Sequence, residues 1–169
     1  MKSKKSENYI FVDLDETLIH TFIPFYGEIP TKDAVKVKIE GEKVPYDVVL
    51  RQGALYFLQV LRKAGKVYML TAATADYAAA MNLEFGFGFT SQDIYSREDI
   101  AAGALDASLF GEGNVYLFDN LSRHENRSKI MFLRNICEDV NYIKVPGFYD
   151  NKTSPFTHEL IKKLVKHIS

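Results

Sequence analysis

A chain of 169 residues, 47% apolar and 25% charged, has the make-up of one folded domain and not of a disordered polymer. Its formal net charge of −1 supplies no overall field to recruit nucleic acid. The single cysteine, Cys137, excludes an internal disulfide framework and a cysteine-built zinc cage. No apolar run reaches the length of a membrane span and no signal peptide opens the chain, so no membrane partner is expected and the expected compartment is the cytosol.

No repeat or flexible linker divides the sequence, so residues 1–169 are expected as one domain, with residues 1–8 a flexible tail carrying Lys2, Lys4 and Lys5. The first apolar run, Tyr9 to Val12, reads as a buried strand. After it, residues 34–39 alternate apolar and charged, turn at Glu40-Gly41-Glu42-Lys43 and return over 44–50, predicting an inserted hairpin with one wet face. Leu55, Leu58, Leu61 and Arg62 mark a helix that Gly65 stops. Val67 to Leu70 is a second buried strand, followed by a helix over Ala75–Phe85 with Thr74 as its cap. Phe85-Gly86-Phe87-Gly88-Phe89 reads as a link whose aromatics pack underneath. Val115 to Phe118 is a third strand and Tyr142 to Val145 a weaker fourth. Leu160, Ile161, Leu164, Val165 and Ile168 form the stripe of a last helix, with Ser154 and Pro155 placed as cap and first residue. This alternation predicts an α/β fold, a doubly wound and mostly parallel sheet.

In such sheets chemistry collects at the carboxyl ends of the strands. The first strand runs into Asp13-Leu14-Asp15-Glu16-Thr17, two carboxylates two residues apart that point the same way in extended backbone. Their repulsion calls for a cation or a shared proton, and Mg²⁺ takes such oxygen ligands while leaving room for a phosphate. The third strand ends in Asp119-Asn120, which could complete the cation's shell, and the second in Thr71, a hydroxyl suited to a phosphate oxygen. His20 is expected as a structural imidazole, and Asn126 in a turn.

The stretch Phe11 to Thr21 closely resembles the opening motif of the haloacid dehalogenase (HAD) superfamily, and within it the FCP/SCP (NLI-interacting-factor-like) branch of small C-terminal-domain phosphatases. Thr71 with its Tyr77-Ala78 helix is similar to that branch's second motif, and Leu117-Phe118-Asp119-Asn120 to its fourth. Arg51-Gln52-Gly53 and Arg97-Glu98 resemble flanking elements of the same branch. The resemblance implies a HAD-like fold without a large cap and a Mg²⁺-dependent phosphomonoesterase. Asp13 would be the nucleophile, Asp15 the general acid and base, and Thr71 a phosphoryl ligand; Asp13, the Asp15 carbonyl, Asp119 and Asn120 would hold the metal. An uncapped site favours phosphoserine or phosphothreonine of a protein or peptide, with a small phosphate ester or nucleotide as the alternative within the same chemistry.

One departure stands out. The branch places a Lys ahead of its fourth motif, yet no Lys lies between Lys66 and Lys129. Arg97 is the first candidate to supply the missing cation, Arg123 the second and Lys129 the third. A chain with no substitute would be a catalytically weakened binding module of the same fold.

Overall fold

The computed structural model describes residues 6–168; Lys2, Lys4 and Lys5 lie outside them. In chain order the elements are β1 (Glu7–Val12), β2 (Ile19–Phe22), β3 (Val35–Val37), β4 (Tyr46–Leu50), α1 (Ala54–Ala64), β5 (Lys66–Leu70), α2 (Ala75–Phe85), β6 (Ile94–Tyr95), α3 (Arg97–Ala102), β7 (Gly113–Asp119), α4 (Arg127–Leu133), β8 (Val140–Lys144) and α5 (His158–Val165). Five strands form a parallel sheet in the order β6-β5-β1-β7-β8. The chain leaves β1 toward β5 and β6 on one side and returns to β7 and β8 on the other. The carboxyl end of β1 is therefore the point where the strand order reverses, the place where such sheets open a crevice.

Both faces of the sheet are covered, which accounts for the unbroken apolar runs. Ile10 and Val12 join Met69, Phe118, Phe57 of α1 and Ile161 of α5 in one core. Tyr9 and Phe11 join Leu70, Leu117 and, from α4, Ile130 and Leu133 in the other. Phe87 and Phe89 are buried, as their spacing suggests, and Asn82 binds both backbone groups of Phe89.

The structure departs from the sequence expectations in three places. Glu7 and Asn8 belong to β1, paired with Gly113 and Asn114, so the expected tail over 1–8 is too long. The inserted hairpin is two strands of a three-stranded antiparallel sheet in the order β2-β4-β3, because Ile19 to Phe22 pairs with Leu50 to Asp47. A two-stranded ribbon is marginal alone; the third strand lets Ile19 and Val48 be fully buried. Gly65 ends α1 as expected, its N–H donating to the Leu61 carbonyl, and a Cβ there would sit 2.3 Å from the Asn8 carbonyl oxygen. Close approach to β1 is what requires glycine. Finally, α5 is capped by Thr157, whose hydroxyl accepts from Leu160 N at 3.1 Å, and not by Ser154. Phe156 is stacked on Phe57 at 4.4 Å and its N–H donates to the Gln52 carbonyl, so residues 154–156 are spent on α1 before the helix begins.

Arg51 fastens this region from inside. It is fully buried and has no carboxylate partner; its guanidinium donates to the carbonyls of Thr17 (3.1 Å), Pro146 (2.9 Å) and Ser154 (2.6 Å) and lies 4.0 Å from the Phe156 ring centre. Burial pulls its pKa down to about 10, so it stays charged near neutrality. Arg51→Met leaves three carbonyls, that of Thr17 buried and the other two partly so, without this donor and is expected to cost about 3 kcal/mol, read from the urea midpoint. An unchanged midpoint would show that the three segments hold together without it.

His20, buried in β2, donates or accepts at both ring nitrogens: Nδ1 lies 2.9 Å from the Glu16 carboxylate and Nε2 3.1 Å from that of Glu28. Burial disfavours the charged ring, but the two carboxylates together outweigh it and raise the pKa above the ordinary 6.5. The pairs therefore stabilise the fold fully below pH 6.5, and their contribution is lost as pH climbs through the raised value. Urea midpoints measured from about pH 6 to pH 9 should fall for the native chain and fall less for His20→Gln.

Candidate active site

The reversal point brings the chemistry together. β1 ends at Val12, and Asp13 N still donates to Phe118 O of β7 at 2.9 Å, so Asp13 is held against the neighbouring strand tip. Leu14 is fully buried and Leu18 N returns to its carbonyl at 2.8 Å, closing a tight turn. Glu16 sits in that turn at φ 60, a left-handed backbone that a glutamate adopts at some cost. The turn directs Asp13, Asp15 and Glu16 into one recess of about 230 Å³, which Thr71, Asn120, Asn126 and Lys129 also line. A larger recess of about 760 Å³ opens at the amino ends of the strands, around Glu7, Asn8 and Gly65, but no buried carboxylates converge there.

Lys129 is the centre of the cluster. It is buried on α4, and its ammonium donates to Asp13 Oδ1 at 2.6 Å and to Asp119 Oδ2 at 2.7 Å. Burial opposes its charge, but the two carboxylates raise its pKa overall. Burial pushes Asp13 up to about 7, Lys129 opposing and Asp119 adding to the rise. The other Asp13 oxygen accepts from the Thr17 hydroxyl at 3.0 Å.

The expected substitute, Arg97, does not reach Asp13. It opens α3, and its Nε donates to the Ala72 carbonyl at 2.8 Å, bracing the turn after Thr71. Arg123 turns the other way and donates to the Val140 carbonyl at 3.3 Å. The cation comes from downstream of Asp119, where the sequence reading ranked it last. Its signal was legible: Lys129 shares a helical face with Asn126, Ile130 and Leu133, and a lysine on an apolar face needs a carboxylate partner.

Asp119 also differs from expectation. Its Oδ2 accepts from Lys129 and its Oδ1 from Leu121 N at 2.9 Å, and this fully buried carboxylate orients the lysine and does not line the recess. Asn120 is the residue that faces inward. One terminal atom of its carboxamide lies 3.2 Å from Asp13 Oδ2 and 3.3 Å from the Asp15 carbonyl oxygen, both of them acceptors. That atom is either the nitrogen donating to both, or the oxygen of a three-oxygen set that requires a cation. Oxygens adjacent on a Mg²⁺ octahedron are about 3 Å apart, given bonds of about 2.0–2.1 Å. One carboxylate, one peptide carbonyl and one amide, with positions left over for water or phosphate, is a donor set that suits this ion. No cluster of three or more His, Cys, Asp or Glu able to hold a metal occurs among the described residues, so these mixed oxygens are the candidate site.

Asp15 is held by Tyr77, whose hydroxyl donates to its Oδ1 at 2.7 Å and meets Thr21 Oγ1 at 2.5 Å. Thr74 places that tyrosine, capping α2 by accepting from Tyr77 N. Burial raises the Asp15 pKa, Tyr77 opposing. Thr71 is buried, and its hydroxyl oxygen accepts from Ala73 N at 3.1 Å, leaving its proton for an outside acceptor. Asn126 donates to the Tyr142 hydroxyl at 2.8 Å, which in turn donates to the Leu121 carbonyl, steadying the loop after Asp119.

Comparison with known proteins bears on this arrangement. A comparison with solved structures matches the fission yeast RNA polymerase II CTD phosphatase Fcp1, in a form bound to beryllium fluoride, with a TM-score of 0.55 and 16% identity over 96% of this chain. A second Fcp1 structure, described as an essential RNA polymerase II CTD phosphatase, matches with a TM-score of 0.56 and 19% identity, also over 96% of the chain. The chain covers 50% and 49% of those two, about half their length, and the likeness establishes the HAD-like fold. No curated protein matches in sequence. The family model of the NLI interacting factor-like phosphatases matches residues 8–100, more than half of the chain, ending before Asp119 and Lys129. A reversal-point crevice, an Asp13-Leu14-Asp15 turn and that match agree: the chain belongs to the NLI interacting factor-like phosphatase family.

Proposed function

We propose that this protein is a Mg²⁺-dependent phosphomonoesterase that works through an aspartyl-phosphate on Asp13, with phosphoserine or phosphothreonine of a protein or peptide as substrate. The observation that carries the proposal is the fixed Asp13 carboxylate, held by Lys129 at one oxygen and by the Thr17 hydroxyl at the other, which also faces the Asn120 carboxamide.

Asp13 attacks phosphorus in line with the leaving oxygen; the P–O bond to the alcohol breaks as the bond to Asp13 forms. Asp15, whose raised pKa favours a carried proton, gives that proton to the leaving alcohol. Tyr77 keeps the Asp15 carboxyl aimed during this transfer. Water then attacks the aspartyl-phosphate, and Asp15 takes its proton, which splits one difficult displacement into two. Lys129 offsets the charge that Asp13 and the phosphoryl oxygens bring together, and the Thr71 proton meets a phosphoryl oxygen. Asp13, the Asp15 carbonyl and Asn120 would hold a Mg²⁺ ion, which would supply further neutralisation and orientation of the phosphoryl group.

The ion pairs of Lys129 with Asp13 and Asp119 support the catalytic reading over a non-catalytic binding module, because they put a cation from α4 beside the nucleophile. The phosphoprotein reading is supported by the absence of a large cap domain among the described residues and by the description of the Fcp1 neighbours as CTD phosphatases.

Hydrolysis of an aryl phosphate should require added Mg²⁺, stop with chelator, and disappear in Asp13→Asn. Equal rates for that variant and the native chain would remove Asp13 as nucleophile. Lys129→Met leaves two buried carboxylates facing each other without a counter-charge. It should lower kcat at least about a hundredfold and destabilise the fold by about 3–5 kcal/mol, measured by steady-state rates and by urea unfolding. Retention of both would mean that the ammonium is dispensable.

A further inference from the structure

The face of α4 turned away from Asp13 carries a row of cations. Arg123, Arg127, Met131 and Arg134 follow one another at spacings of four, four and three, so they share one side of the helix and its approach. With His124 and Ile130 they line a surface recess of about 560 Å³. Among the described residues none of the three guanidiniums takes part in an ion pair. Arg123 spends one nitrogen on the Val140 carbonyl and Arg134 one on the Met131 sulfur. In a chain whose formal charge is −1, this wall contains no carboxylate at all. Like charges gathered without partners repel one another, and an anion among them relieves that repulsion.

The recess adjoins the candidate active site. The loop before α4 gives Leu121, Glu125 and Asn126 to the catalytic recess and Arg123 and His124 to this one. On α4 itself Ser128 and Lys129 face Asp13 while Arg127 and Met131 face the recess. One helix separates the two, a distance of about 10–12 Å with side chains. Extended peptide covers about 3.3–3.6 Å per residue, and rounding half the girth of that helix, roughly 16–19 Å, takes about five residues.

We propose that this recess is an anion subsite that takes a second phosphorylated side chain of the same peptide whose phosphate is cleaved at Asp13. The proposal rests on the phosphoprotein reading above. Guanidinium forks match phosphate oxygens in pairs, and three of them around one recess suit a dianion better than a single carboxylate. Ile130 and Met131 give the intervening residues an apolar floor. Nucleic acid, the other polyanion, would also want aromatic stacking surfaces, and the recess has none but the His124 ring.

The test compares peptides carrying one phosphoserine with peptides carrying a second, about four to six positions to either side. Each is assayed with the native chain and with the Arg127→Gln/Arg134→Gln variant, alongside an aryl phosphate. The second phosphate is expected to raise kcat/KM about tenfold through KM for the native chain. The double variant should lose that gain while hydrolysing the aryl phosphate as before. Equal kcat/KM for the two peptide types with the native chain, or a gain that survives in the variant, overturns the subsite. Absence of hydrolysis on every substrate would instead defeat the phosphatase reading. Fluorescence anisotropy of the labelled peptides then decides the subsite separately: tighter binding of the doubly phosphorylated peptide, lost in the variant, supports it, and equal binding overturns it. A single-stranded RNA oligonucleotide bound by the native chain and released by the variant, with no distinction between peptides, also overturns it.

Discussion

A single buried ammonium holds the candidate site together. Two carboxylates at adjacent strand tips, Asp13 and Asp119, are both removed from water, and unpaired they would repel strongly and drive one another to protonate. Lys129 lies between them within hydrogen-bond distance of each. It makes the burial tolerable, fixes one oxygen of Asp13 and leaves the other to the Thr17 hydroxyl and the Asn120 carboxamide. The geometry of the recess follows from that bridge: Thr17 and Asn120 meet Asp13 on the side away from the lysine.

The rest of the fold supplies fixed positions for that exchange of charge. Parallel pairing of β1 with β7 sets the spacing of the two carboxylates, and hydrogen bonds from Asp13 N to Phe118 O and from Val145 N to Asp119 O continue the ladder past the strand ends. The turn at Leu14–Leu18 is braced from below by Arg51 through the Thr17 carbonyl and from the side by the His20–Glu16 pair. Tyr77 ties Asp15 to α2 and to Thr21 of β2. Each group that could carry a proton or meet a phosphate thus rests on at least one element outside its own loop.

What the sequence reveals and what it hides divide along physical lines. The buried strands were legible because a sheet covered on both faces leaves continuous apolar runs, and their common carboxyl edge placed Asp13, Thr71 and Asp119 together before any coordinates did. α2 was legible to the residue, since its cap and first turn are local. β2 was not, because Ile19 to Phe22 is strand only by virtue of pairing with β4, thirty residues on. The start of α5 slipped for a similar reason: Ser154 and Pro155 look like a cap and first turn, yet packing of Phe156 on Phe57 outweighs that local preference. The site cation was misassigned because attention followed the expected order of motifs, whereas the apolar companions of Lys129 on its own helix gave a better indication of where that side chain points.

The placement of that lysine has a consequence for how the chain can vary. Asp119, Asn120 and Lys129 all fall within one eleven-residue stretch, so a single contiguous cassette carries the acidic partner, the amide and the counter-ion. The span from Gly103 to Glu112, between α3 and β7, is thereby released from any duty at the crevice. Its tie to the fold is instead through packing, since Leu105 is buried and Phe110 lies on Tyr9 and Phe11 of β1; exposed positions such as Leu109 can change without disturbing the charge balance around Asp13.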